Sequence, residues 1–129
     1  MSEVRGIELT QELMTEGDSL EIMVDGDKER NFVRLRGRLG VDSSPTFRDR
    51  LLAILQGQPP KSIIVDLTEV SHIDGSGIAT LLEALKLARN REVTLCLSGL
   101  QGRMVRLFEV TGLQAVFESA CKTGPSELR

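Results

Sequence analysis

Ile63-Ile64-Val65-Asp66-Leu67-Thr68-Glu69-Val70-Ser71-His72-Ile73-Asp74-Gly75-Ser76-Gly77-Ile78 is the stretch whose reading decides the fold. From Ser62 it opens as a continuous, largely β-branched run over 62–67. That run is the signature of a central strand buried on both faces by helices. It closes on two glycines that let the backbone turn sharply, and from there Ile78, Leu81, Leu82, Leu85 and Ala88 recur at helical spacing. The stretch therefore predicts a buried strand, a turn and a helix over 78–90.

The flanking sequence repeats the same grammar. Upstream, Leu20-Glu21-Ile22-Met23-Val24 and Phe32-Val33-Arg34-Leu35-Arg36-Gly37 both alternate with period two around Asp25-Gly26-Asp27, which predicts a β-hairpin. Gly37 to Gly40 reads as the end of the second strand. Ser44 then fits an N-cap with Pro45 at the first helical position, ahead of Phe47, Leu51, Leu52, Ile54 and Leu55. Gly57 and Pro59-Pro60 stop that helix. Downstream, residues 92–97 predict another buried strand, residues 101–110 a last amphipathic helix, and Ala115-Val116-Phe117 a short apolar piece. The order is ββαβαβα. It implies an α/β fold, with a single mixed β-sheet of four to five strands covered by helices. The expected organisation is an N-terminal extension at 1–18, one domain at 19–121 and a C-terminal tail at 122–129.

Composition narrows the function classes. A net charge of -3, with basic residues alternating with acids, offers no patch to replace phosphate counterions, so nucleic acid is not expected as a partner. Four Phe, no Trp and no Tyr leave few stacking platforms. The N-terminal residues lack the apolar core of a signal peptide, and no apolar run approaches a membrane span, so the expected location is cytoplasmic without membrane insertion. Cys96 sits in the apolar run Val93-Thr94-Leu95-Cys96-Leu97 and is expected to be a small buried hydrophobe. One histidine and two distant cysteines make no metal site, and no cofactor motif is present: Gly75-x-Gly77 has Thr80 where a dinucleotide fingerprint needs its third glycine.

The residues able to carry chemistry cluster at 71–77. A helix N-terminus exposes unpaired N–H groups and partial positive charge, so an acid or hydroxyl there is stabilised. The plain structural reading makes Asp74 or Ser76 an N-cap and leaves the glycines to form the turn. A His72/Asp74/Ser76 triad has the residue types but no sequence support for oxyanion donors or a substrate pocket, so no catalytic residue is expected.

The same stretch resembles the hallmark of STAS domains, an apolar strand followed by D-L-x-x-V-x-x-I/M-D-S-S-G-L/I and a helix. Leu107-Phe108-Glu109-Val110-Thr111-Gly112-Leu113 is similar to the family's second signature, L-F-x-x-(S/T)-G-L, and Leu35-Arg36-Gly37-Arg38-Leu39 to its L-x-G-x-L. The three matches stand in the family order across residues 20–118. The resemblance to the family's bacterial anti-sigma factor antagonists implies a protein-binding switch rather than an enzyme. Its phosphoacceptor would be Ser76, with Gly75 replacing the first Ser of the motif. The implied partner is an anti-sigma factor that is also a serine kinase, with a PP2C-type phosphatase reversing the modification. The implied partner surface comprises Asp42, Ser43, His72, Asp74, Gly75, Ser76 and Gly77. One departure is plain: antagonists commonly carry an Asp directly after L-x-G-x-L, where this chain has Gly40 and, two residues on, Asp42. The alternative reading is a cytoplasmic STAS subunit of a phospholipid-transport ABC complex, not controlled by phosphorylation. A third class is a small enzyme or nucleotide binder. Self-association as a weak homodimer through residues 1–18 stays open, since nothing in their pattern requires it.

Overall fold

The computed structural model describes residues 20–122, and of the last four of these the backbone only. The extension expected at 1–18 and residues 123–129 of the expected tail lie outside the described residues. Strands β1 (Leu20–Gly26), β2 (Arg30–Leu39), β3 (Ser62–Ile73) and β4 (Thr94–Ser98) form one sheet in the order β1-β2-β3-β4. The first pair is antiparallel and the other two are parallel. Four helices complete the described chain: α1 (Ser44–Leu55), α2 (Gly75–Asn90), α3 (Arg103–Thr111) and α4 (Leu113–Lys122). This is the mixed α/β architecture expected, with one more helix at the C-terminal end. The piece around 115–117 is part of α4, because Gly112 in the left-handed conformation ends α3 and lets a second helix start at once.

The hairpin closes on Asp27, whose carboxylate accepts from the Glu29 and Arg30 amides at 2.9 and 3.1 Å. Period two then sorts the sheet into faces. Val33, Leu35, Ile63, Val65, Leu67 and Leu95 form the buried face. Against it lie Phe47, Leu51 and Leu55 of α1 and Leu81, Leu85 and Ala88 of α2, within a single core that also takes in Phe108 and Phe117. The opposite face carries charge, with Arg36 placed 3.7 Å from both Glu21 and Glu69. Cys96 pairs with Ile64 on that second face, is only half-buried and is bonded as a disulfide. The free buried thiol expected from its apolar run is thus corrected: alternation turns the side chain away from the core that takes Leu95.

Two strands run further than their patterns suggest. β2 does not break at Gly37 but continues to Leu39, and β3 continues past Leu67 to Ile73. Register shifts between Arg34 and Arg36 and between Gly37 and Arg38 place extra residues on β3. Such bulges interrupt alternation, so residues 68–73 read as irregular although Glu69, Val70, His72 and Ile73 are paired with β2. The extended ends carry the chain to the start of α2.

Beside β3, Asp66 accepts from both the Thr68 hydroxyl and the Thr68 amide, which hold its carboxyl below the usual carboxylate range, with the Arg34 charge helping. The Gln101 side-chain amide donates to the Thr68 carbonyl and ties the β4–α3 loop to the same corner.

Two outcomes follow from this packing. Leu81→Ala, at a fully buried site, is expected to lower unfolding free energy by about 2–5 kcal/mol in urea titration, with the m-value unchanged. Asp66 has a depressed native pKa, so its contribution to stability is present above the unfolded-state pKa and fades as pH falls through the native one. Urea titrations from neutral pH down to about pH 3 should therefore show Asp66→Asn approaching the parent as the solution becomes acidic. A gap that stays constant with pH would contradict this assignment.

Candidate functional site

The C-terminal ends of the parallel strands β2 and β3 deliver the candidate residues, the usual place for sites on open α/β sheets. Leu39 and Ile73 are the last paired residues, and the Asp74 amide adds one more bond to the Leu39 carbonyl at 3.3 Å. Asp74 itself is extended, at φ −118° and ψ −170°. That conformation aims its carboxylate back at the helix start, where Oδ1 accepts from the Ser76 amide at 2.9 Å and the Gly77 amide at 3.1 Å. The first helical bond follows from the Ile78 amide to the Asp74 carbonyl at 3.0 Å. Asp74 is therefore the N-cap, and Ser76 takes part in the cap through its backbone. Of the two caps open on sequence grounds, the structure selects the acid.

Gly77 is held by steric contact. A Cβ added there would lie 2.6 Å from the Leu39 carbonyl oxygen, 2.8 Å from Ile73 Cγ1 and 2.9 Å from Leu39 Cγ. Close approach of α2 to the end of β2 thus requires glycine. Gly75 is exposed and Ser76 half-buried at the surface of the same turn, while His72 is exposed on β3 opposite Arg38 of β2.

Across this contact lies the β2–α1 loop. Ser43 is only 5% exposed. Its hydroxyl donates to the Arg38 carbonyl at 2.8 Å and accepts from the Gly40 amide at 3.0 Å. The Gly40 carbonyl in turn accepts from the Ser43 and Ser44 amides at 3.2 and 2.8 Å. Ser43 is thus an internal brace of the loop, while Asp42 and Val41 are exposed beside it. Ser43 also occupies the N-cap position of α1 in place of the expected Ser44. Ser44 is instead the first helical residue, with its hydroxyl buried and unpaired. The expected Ser44 cap is corrected because the tight Gly40 turn starts the helix one residue earlier.

The chain thus brings together Asp74, Gly75, Ser76 and Gly77, with the Asp42–Ser43 loop attached through Leu39 and Gly40, and His72 one strand residue before Ile73. Sequence reasoning missed the Ser43 brace and the exposure of Val41. The signal for the first was present in Gly40-x-x-Ser43, the spacing of a side-chain-closed turn. Among the described residues no group of three or more His, Cys, Asp or Glu could hold a metal ion. A cavity of about 540 Å³ lies at the other end of the sheet, where Phe32, Lys61, Ser62 and Thr94 line it beside the hairpin turn. No helix among the described residues is long and apolar enough to cross a membrane.

The model of the family described as "STAS domain" matches residues 21–127. The chain is similar to the anti-sigma-B factor antagonist of Listeria monocytogenes, 33% identical over 100 residues that cover 78% of this chain and 86% of that protein. It is also similar to the anti-sigma-B factor antagonist of Bacillus subtilis, 26% identical over 106 residues, 81% of this chain and 95% of that one. Its fold is that of the Bacillus cell fate determinant SpoIIAA in the phosphorylated form, with a TM-score of 0.62 at 19% identity over 74% of this chain and 86% of that chain.

The two anchors of the turn, Asp74 and Gly77, make separable contributions. Asp74→Ala removes the side-chain cap and should cost about 1 kcal/mol. Gly77→Ala must displace the β2 end and should cost more, about 1–3 kcal/mol. Thermal melts of both variants against the parent would check the order, and equal stability of Gly77→Ala and the parent would refute the steric account.

Proposed function

Because the chain belongs to the STAS domain family, we propose that it acts as an anti-sigma factor antagonist. In this reading it binds an anti-sigma factor that is itself a serine kinase, and phosphorylation at Ser76 ends the association. The observation that carries the reading is the division of labour at the start of α2. Asp74 supplies the cap, so the Ser76 hydroxyl is not committed to holding the helix and can be modified without undoing it. The names of the relatives favour this reading over a transport-complex subunit.

The chemistry is that of an acceptor, and the catalytic groups belong to the partner. The Ser76 Oγ attacks the γ-phosphorus of ATP, the bond to the ADP oxygen breaks, and the hydroxyl proton leaves to a base of the kinase. The product carries about −1.5 to −2 charges on the first turn of α2. Partial positive charge at the helix start offsets this within the fold. The partner surface has no such compensation, so the modified patch is repelled and the complex dissociates. A PP2C-type phosphatase restores the hydroxyl by hydrolysis. Asp42, His72, Gly75 and the rim around Ser76 form the contact surface in this proposal, and the setting is the cytoplasm. Ser43 and Gly77 shape that surface from beneath. Metal and cofactor play no part in the acceptor's own role.

The test is phosphosite mapping of the protein isolated from its own cells, paired with binding of purified variants to the kinase. Ser76 should carry the phosphoryl group, Ser76→Ala should abolish modification while still binding, and Ser76→Asp should bind at least about tenfold more weakly, as expected for an uncompensated like-charge contact. Ser76→Asp binding as tightly as the parent would overturn the proposal.

A further inference from the structure

Cys96 differs from the residues before it in β4. Thr94 and Leu95 are buried, whereas Cys96 is half-buried on the second face of the sheet and is bonded as a disulfide. The only other cysteine of the chain is Cys121. It belongs to α4, which packs on both β4 and α3. Phe117 anchors α4 in the core, with its ring centroid 6.2 Å from that of Phe108, and position 121 follows Phe117 by one helical turn. The fold thus sets the element that carries the second cysteine against the strand that carries the first.

The described fold holds these elements without the bond. β4 pairs with β3 along its whole length, and α4 is already fixed through Phe117. A core of this kind does not need the disulfide framework of a small secreted domain. β4 is also an edge strand among the described residues, and Cys96 keeps part of its surface in solvent. A disulfide that is partly exposed and adds to an existing core is open to exchange.

We propose that Cys96 and Cys121 form a reversible redox site that fastens α4 to β4 under oxidising conditions and releases it under reducing ones. This goes beyond the phosphorylation reading and does not depend on it. The oxidant is a peroxide, which converts one thiolate to a sulfenic acid and leaves as water. The second thiol then displaces the hydroxyl as a further water, so two thiols and one peroxide give one disulfide and two waters. A dithiol reductant reverses the bond through a mixed disulfide, is itself oxidised to a disulfide, and restores both thiols. The closed loop takes in all of α3 and nearly all of α4. Joined, these last elements lose freedom to open; reduced, α4 is held by packing alone. Asp74 to Gly77 lie outside the loop and keep their geometry in both forms.

The experiment traps thiols in the protein's own cells before and after a hydrogen peroxide pulse, by acid quench, maleimide alkylation and non-reducing peptide mapping. Both cysteines should be alkylated in unstressed cells and joined within one chain after the pulse. Hydrogen exchange on the purified full chain supplies the second readout. Reduction with dithiothreitol should speed exchange of α4 amides by at least about tenfold, as for an element released to local opening, and leave those of β3 unchanged. Cys96→Ser should show no redox dependence, whereas Ser76→Ala should cycle like the parent. Free thiols after the pulse overturn the proposal, and so does a bond between two chains. A bond equally present in unstressed cells overturns it as well, since that marks a permanent staple. Exchange of α4 that ignores reduction overturns the fastening of the helix.

Discussion

The site depends on how closely the start of α2 approaches the end of β2. The Leu39 carbonyl is the fixed point. It accepts the Asp74 amide at 3.3 Å and stands 2.6 Å from where a Gly77 Cβ would be. The buried runs of β2 and β3 set the height of that carbonyl, because Val33, Leu35, Val65 and Leu67 are locked in the core. A rigid sheet thus delivers a backbone oxygen, and a bare residue in the helix fits against it. Everything on the surface above, from the Asp42 loop to the Ser76 hydroxyl, inherits its position from this contact.

From that fixed point the local electrostatics follow. Asp74 occupies the amides of Ser76 and Gly77 with one carboxylate oxygen. A phosphoryl group on Ser76 would share the helix terminus with an anion already in place. The helix end stabilises negative charge, but its effect fades within a turn. Two anions side by side on a low surface project a strong field outward, toward whatever is docked there. Under the proposed modification, fold and partner would experience the change unequally: the fold has a cap that does not involve the Ser76 hydroxyl, while the partner would meet the full change in charge.

How much of this was legible in the sequence depended on periodicity. β1, the buried run at the start of β3 and the stripe of α2 follow unbroken alternation or helical spacing, and the structure has them within a few residues of where the pattern puts them. The second half of β3 was hidden because two bulges break its alternation while its hydrogen bonding continues. α4 was hidden because its apolar positions at Leu113, Val116 and Phe117 look like a fragment until Gly112 is known to close one helix and admit another. At the site, the residue types of 74–77 pointed to the right turn but could not choose between Asp74 and Ser76 as cap. That choice is made by the extended backbone of Asp74, a tertiary consequence of its bond to Leu39. The resemblance puts Ser43 on the implied partner surface, whereas the fold turns its hydroxyl inward.

The position of Gly40 gains its meaning from the same loop. Where the family resemblance leads one to expect an acid, this chain has a residue with no side chain, fully engaged through its backbone: its amide donates to the Ser43 hydroxyl and its carbonyl accepts the amides of Ser43 and Ser44. A neutral hydroxyl closes the turn, so no carboxylate is needed to order it. The acid nearest to hand, Asp42, is exposed on the outer side of that turn. A charge at position 40 would stand instead in the buried corner beside Leu39. A buried carboxylate is costly unless paired, and the backbone groups of Gly40 are already engaged by Ser43 and Ser44. Gly40 is thus accommodated in the buried corner through its backbone, with Ser43 closing the turn.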